Sequence, residues 1–281
     1  MVSRYIDPTT DFGFKRIFGQ EDSQEILKHF LVDILQLPHP IRELSYLPSE
    51  QLPPTPDDRV SIYDIYCVDE AGQRFIVEMQ RNWQMNFKER SLYYSTFPIT
   101  HQVQKGGQWE YALLPIYCLG IVTFHLDEDP RYMRKVQLLD VDTEEVFYDK
   151  LTFVFIELPK FQRSPAELQT AADKWIYLLK RMPELTDIPA ELAVAPFRQV
   201  FEIAQEAALS PQDRWLYEAS LKRTRDDRAA WQSAEWKGRG EGQEAARREI
   251  ARSMLAKGLD MATIVELTGL SEEVLATLET S

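Results

Sequence analysis

Two cysteines, four histidines and no long uninterrupted apolar run set the first limits on this chain of 281 residues. Cys67 and Cys118 lie far apart, each inside an apolar run. Neither a disulfide framework nor a Cys-x-x-Cys knuckle can be built from them, and a reducing, cytoplasmic setting is expected. His29, His39, His101 and His125 stand singly without ligand spacing, so a zinc site is not expected. The longest apolar stretch, Tyr111 to Leu126, is broken by Pro115 and Gly120. It falls short of the roughly 20 residues that cross a bilayer as a helix, and reads as a buried strand. Met1 to Pro8 shows no apolar segment behind a basic start, so export is not expected. A net charge of −13 excludes broad, nonspecific wrapping of nucleic acid, while leaving room for a local basic groove. Internal repeats and low-complexity tracts are also missing.

What is present is an ordinary globular composition, 44% hydrophobic, long enough for one main domain and a smaller appendage. Asp22 to Gln36 carries Ile26, Leu27, Phe30, Leu31, Ile34 and Leu35 at helical spacing, closed by Leu37-Pro38-His39-Pro40. Ile41 to Leu47 alternates like a short strand, and a proline-rich loop follows from Pro48 to Asp58. Val60 to Val68 and Arg74 to Gln80 are strand-like runs around Asp69-Glu70-Ala71-Gly72-Gln73, a hairpin signal. Trp83 to about Phe97 has helical spacing, with Pro98 as a stop or kink. Leu113 to Phe124 and Leu151 to Leu158 read as strands covered on both faces. The sum is an α/β sheet flanked by helices. From Ser164 onward the pattern is helical, opened by Ser164-Pro165, closed at Pro183 and punctuated by Pro189, Pro196 and Pro211.

The hairpin concentrates the chemistry. If Glu70-Ala71-Gly72 is a three-residue loop with Gly72 at positive φ, paired residue numbers sum to 142 and Asp64 faces Glu78. Directly opposed side chains lie about 4.5 to 5.5 Å apart at Cβ, and like charges there destabilise unless neutralised. Period-two alternation puts Gln80 on the face of Glu78, while Val77 and Met79 point the other way. Carboxylate oxygens suit Mg²⁺ or Mn²⁺, which could polarise a phosphate and activate water. Spacing alone equally admits a solvated hairpin face, and a slip of one residue would separate the pair.

Asp64, one hairpin, then Glu78-Met79-Gln80 in an apolar strand resembles the PD-(D/E)XK nuclease superfamily. The opening Pro8-Thr9-Thr10-Asp11-Phe12-Gly13-Phe14-Lys15-Arg16-Ile17-Phe18-Gly19 is similar to the start of the Rpn family of recombination-promoting nucleases. So is Phe87-Lys88-Glu89-Arg90-Ser91-Leu92-Tyr93-Tyr94. The resemblance spans roughly residues 3 to 160. It implies a restriction-endonuclease-like core of helix, three strands, helix and strand, and a Mg²⁺-dependent DNA endonuclease with DNA as partner. Asp64 and Glu78 would be the metal ligands, with Gln80 where the superfamily usually has lysine. Glutamine neither carries charge nor acts as a base, so it could only orient water or phosphate. Lys15 is a candidate for the missing cation and Asp11 for an accessory acid, although packing of Phe12, Phe14, Ile17 and Phe18 with Lys15 in solvent is favoured. Arg90 fits a phosphate contact and a surface ion pair equally well.

These boundaries give a nuclease-like domain over 1–162, a helical extension over 163–236, a glycine-rich linker over 237–242 and a tail over 243–281. Gly238-Arg239-Gly240-Glu241-Gly242 follows no strand and lacks a P-loop lysine, so it reads as flexible linker. The tail, from Ile250 through Ser271 and beyond, resembles the helix-turn-helix tail often attached to this family. Its helix after the turn carries Glu272, Glu273 and Glu279 and no lysine or arginine, so packing or homo-oligomerisation is expected ahead of DNA reading. Trp175, Tyr177, Phe197, Phe201, Trp215 and Tyr217 are expected in the helical core. Readings from other classes are a non-catalytic interaction protein and a helix-turn-helix regulator with a decayed nuclease domain.

Overall fold

The computed structural model describes residues 4–51, 61–102 and 112–279, and divides into two compact units, Met1–Lys222 and Arg223–Ser281. In the first unit, helices α1 (Asp11–Phe18) and α2 (Gln24–Leu35) precede β1 (Leu44–Tyr46), β2 (Glu50–Gln51), β3 (Ser61–Ile62), β4 (Ile65–Asp69) and β5 (Arg74–Gln80). Helix α3 (Phe87–Thr100) leads to β6 (Ile116–Val122), β7 (Met133–Leu139) and β8 (Val146–Glu157). Six strands form one sheet in the order β1-β4-β5-β6-β8-β7, and β2 and β3 pair separately. β1, β4 and β5 form an antiparallel meander. β6 then joins β5 in parallel, β8 joins β6 in parallel, and β7 closes the far edge antiparallel to β8.

Alternation decides what each face of the sheet meets. Ile65, Cys67, Phe75, Val77, Leu119, Ile121, Val154 and Ile156 join the main core with α1, α2, α4 (Ala171–Arg181) and α5 (Phe197–Ile203). At its centre Trp175 packs on Phe30 and Phe197 and donates from Nε1 to Asp33 at 2.8 Å. The opposite face meets α3, through Tyr66, Ile76 and Cys118 against Tyr94 and Ile99, and through Phe87 against Val122 and Phe155. Both faces of β6 are therefore covered, as its unbroken apolar run requires.

Several expectations change in detail. The run from Val60 to Val68 is interrupted at Tyr63 and Asp64, which lie between β3 and β4. Pro98 does not stop α3, which continues to Thr100. The carbonyl of Tyr94, which a residue with an N–H at position 98 would have capped, instead accepts from the Tyr63 hydroxyl at 2.9 Å. Ser164-Pro165 opens only the short turn Pro165–Glu167, and the helix begins at Ala171, capped by Thr170 in a capping box with Asp173. β7, Met-Arg-Lys-Val-Gln-Leu-Leu at the sheet edge, carries no strict apolar alternation and so no strand signal in the sequence. Trp215 is 67% exposed, outside the core that holds its expected companions. Most of the proline-rich loop expected at 48–58 lies outside the described residues.

Helix α6 (Pro211–Ala256) runs unbroken through Gly238, Gly240 and Gly242, so the glycine-rich linker is corrected to helix. Glycine weakens a helix by about 1 kcal/mol relative to alanine without forbidding it, and the surrounding Glu235–Arg239 and Glu241–Lys237 pairs at i,i+4 spacing support the turn. In the second unit, α7 (Met261–Thr268) and α8 (Glu272–Glu279) follow turns at Gly258 and Gly269, whose φ values are +75° and +69°. Ala251, Ile264, Leu270 and Leu275 form its small core.

Candidate active site

Gly72 adopts φ +78°, Asp69 N donates to the Gln73 carbonyl at 3.1 Å, and the ladder runs Val68↔Arg74 to Ile65↔Val77. This is the register expected from the sequence. Asp69 fixes the loop further, accepting from the N–H groups of Ala71 and Gln73. One step past the ladder, Asp64 and Glu78 bind each other's strand. Asp64 Oδ2 accepts from Met79 N at 2.7 Å, and Asp64 N donates to Glu78 Oε1 at 3.3 Å.

Both carboxyls are pushed up. Burial is the first cause for Glu78 and the charge of Asp64 the second, and together they carry it from 4.5 to about 8. Asp64 rises because of burial, against the pull of Met79 N–H and the Lys15 charge. The apolar lining that strips water from Glu78 includes Ile76, Tyr94, Cys118, Gly120 and Phe155. At Gly120 a Cβ would stand 3.0 Å from Phe155 and 3.1 Å from Phe87. The missing side chain lets the start of α3 sit close on β6.

That close seat brings Arg90 to the site. Its Nη2 donates to Gln80 Oε1 at 2.7 Å and stands 3.7 Å from Glu78 Oε2, while its guanidinium lies 5.4 Å from the ring centres of Phe87 and Tyr94. Gln80 spends its other end on the backbone, donating from Nε2 to Asn82 O at 2.9 Å. Of the two readings of Arg90, the ion pair is present and half-buried. Lys15 pairs with Asp11 at 2.7 Å, both well exposed. Both still act on Asp64, Lys15 lowering its pKa and Asp11 raising it. Six sequence-nominated residues therefore gather here: Asp11, Lys15, Asp64, Glu78, Gln80 and Arg90. The sequence reading missed Tyr94, which braces Arg90 from one helical turn on, and Asp7, which pairs with Arg81 at 2.7 Å beside Gln80. Spacing of i,i+4 between Arg90 and Tyr94 was the available signal for the first. Nothing local marks Asp7.

Among the described residues no group of three or more His, Cys, Asp or Glu side chains is arranged to hold a metal ion. A cation would rest on two carboxylates, a number Mg²⁺ accepts when water or phosphate completes its shell. The donor set fits such an ion. Its oxygens are hard, and since partial burial pushes both carboxyls up, a bound cation would offset the cost of ionising them.

A model of the PD-(D/E)XK nuclease family transposases matches residues 8–234, the greater part of the chain. The chain belongs to that family. A second model, of the C-terminal helix-turn-helix domain of the Rpn/YhgA-like nuclease family, matches residues 243–280. No curated protein and no solved structure matches. In this family member the Asp64 and Glu78 carboxyls lie together at the open end of the hairpin, with the Arg90 guanidinium on Gln80. The described residues include no helix long and apolar enough to cross a membrane.

Proposed function

We propose that this chain hydrolyses phosphodiester bonds of DNA with a divalent cation, Mg²⁺ or Mn²⁺, held by Asp64 and Glu78. The observation that carries this reading is the pair itself, two half-buried carboxylates, the one of Asp64 accepting from Met79 N and the one of Glu78 from Asp64 N. When bound, the ion supplies charge for the phosphate and an acidified water. The chain's own residues do the rest. Hydrogen bonds from the Met79 and Asp64 N–H groups fix the carboxylates of Asp64 and Glu78 to the hairpin, so their oxygens need little reorganisation. Gln80 is a positioning residue, clamped between Asn82 and Arg90, and holds the guanidinium against Glu78. Arg90 offers further donors to a phosphate oxygen, in the bidentate style that suits it.

The test is nicking of supercoiled plasmid in Mg²⁺, Mn²⁺ or EDTA. Metal-dependent nicking by the wild type, lost in Asp64→Ala and Glu78→Ala at matched purity, is the expected result. Nicking that survives both substitutions refutes the site. Arg90→Ala is expected to lower the single-turnover nicking rate by roughly 10²-fold, the scale of losing one preorganised charge at a reacting phosphate. Arg90→Lys should recover part of that rate, because lysine restores the charge without the fork. Equal rates for Arg90→Ala and wild type would remove Arg90 from the mechanism.

A further inference from the structure

The segment joining β5 to α3, Arg81 to Asn86, links the strand of Glu78 and Gln80 to the helix of Arg90. Its ends are tied down. Thr123 Oγ1 donates to Arg81 O at 2.7 Å, Gln80 Nε2 to Asn82 O at 2.9 Å, and Arg90 N to Asn86 O at 2.9 Å. Arg81 is held by Asp7. Between these anchors Asn82, Trp83, Gln84, Met85 and Asn86 are all exposed, Trp83 by 48% and Met85 by 78%. A large aromatic ring and a thioether are thus displayed on a loop fastened to the site at both ends. Covering Trp83 and Met85 with a partner bound at the site would release the water around them, a favourable contribution to binding.

Trp83 follows Glu78 by five residues, so their Cα atoms are within roughly 17 Å even if the chain were fully extended. Bases along one strand are spaced about 3.4 Å apart, which puts the ring within a few nucleotides of a phosphate at the carboxylate pair. Indole stacks on any exposed base face, and methionine is among the apolar wedges that enter base steps.

Building on the nuclease reading above, we infer that Trp83, with Met85 two residues on, is a stacking site for an unstacked nucleobase within a few nucleotides of the cut phosphodiester, which makes DNA with unpaired bases the preferred substrate class. Stacking one base contributes roughly 10- to 100-fold in affinity. In an intact duplex much of that is consumed in unstacking the base first; at a mismatch, gap or single strand it is not.

The full-length chain is titrated in EDTA, where no cutting occurs, with 2-aminopurine oligonucleotides that are single-stranded, singly mismatched or fully paired. The same DNAs are then cut in Mg²⁺. Wild type is expected to bind unpaired-base DNA at least 10-fold tighter than paired duplex, with the 2-aminopurine signal quenched by stacking. Trp83→Ala should cut that preference below 3-fold, and Trp83→Phe should keep most of it. Far-UV circular dichroism and urea midpoints confirm that both variants are folded. Equal affinity of wild type for all three DNAs, or a preference that survives Trp83→Ala, overturns the stacking site. If Mg²⁺-dependent nicking persists in that case, the nuclease reading stands without it; absence of both binding and nicking removes both.

Discussion

Glu78→Gln is expected to abolish nicking and at the same time to stabilise the metal-free protein at alkaline pH. The activity loss should reach on the order of 10³-fold, since a neutral amide leaves Asp64 as the lone carboxylate for the ion. Stability moves the other way because Glu78 is a burden when ionised. Its carboxyl rises from 4.5 to about 8 on folding, so between those values the native state binds more protons than the unfolded chain. Unfolding free energy then falls as pH rises through that window and is lowest above about pH 8. Asp64 is shifted in the same direction and adds to the slope. Urea unfolding in EDTA at pH 5 and pH 9 should show a loss on the order of a few kcal/mol for the wild type and a clearly smaller one for the variant. Equal losses would mean that Glu78 is not the group responsible.

Gly13→Ala is the second large effect, and it acts through the backbone. A Cβ on Gly13 would stand 2.0 Å from the Asp7 carbonyl oxygen and 2.9 Å from Thr10 Oγ1. Neither can retreat. Thr10 Oγ1 donates to that same carbonyl at 2.7 Å and accepts from Gly13 N at 3.0 Å, capping α1. Asp7 is further fixed by Arg81 and by its N–H donating to the Tyr217 hydroxyl at 2.8 Å. Displacing this turn should cost about 3 kcal/mol or more, seen as a melting temperature lower by roughly 6–12 °C for a domain of this size. Gly238→Ala should do the opposite. Nothing lies within 4 Å of a Cβ there, and the gain should approach 1 kcal/mol from helix propensity alone. A neutral Gly13→Ala, or a destabilising Gly238→Ala, would contradict the local packing described.

The hairpin was legible because its loop chemistry is local. Gly72 fixes a loop length, loop length fixes register, and register brings Asp64 opposite Glu78. The apolar runs of β6 and β8 were legible because burial on both faces leaves a compositional trace. What stayed hidden depends on partners distant in sequence. Pro98 reads as a stop or kink because the Tyr63 hydroxyl that satisfies the freed carbonyl is distant in sequence, and the hold of Asn82 and Arg90 on the Gln80 amide leaves no local trace. Likewise the need for glycine at position 13 arises from a carbonyl six residues earlier that only the folded turn brings into contact. The glycines of α6 misled for the converse reason: propensity is a weak local signal, and a long charged helix absorbs three unfavourable residues.

The parallel and antiparallel neighbours of β5 also imply an order in time. Its pairing with β4 closes a loop of three residues, an event of microseconds. Its pairing with β6 must wait for the much longer crossover that contains α3, which carries a greater closure entropy. Asp64 and Glu78 are therefore brought face to face before β6, whose Cys118 and Gly120 line Glu78, can cover them. The electrostatic cost of the site falls on the earliest step of folding, when the nascent hairpin is still open to water and its screening is strongest.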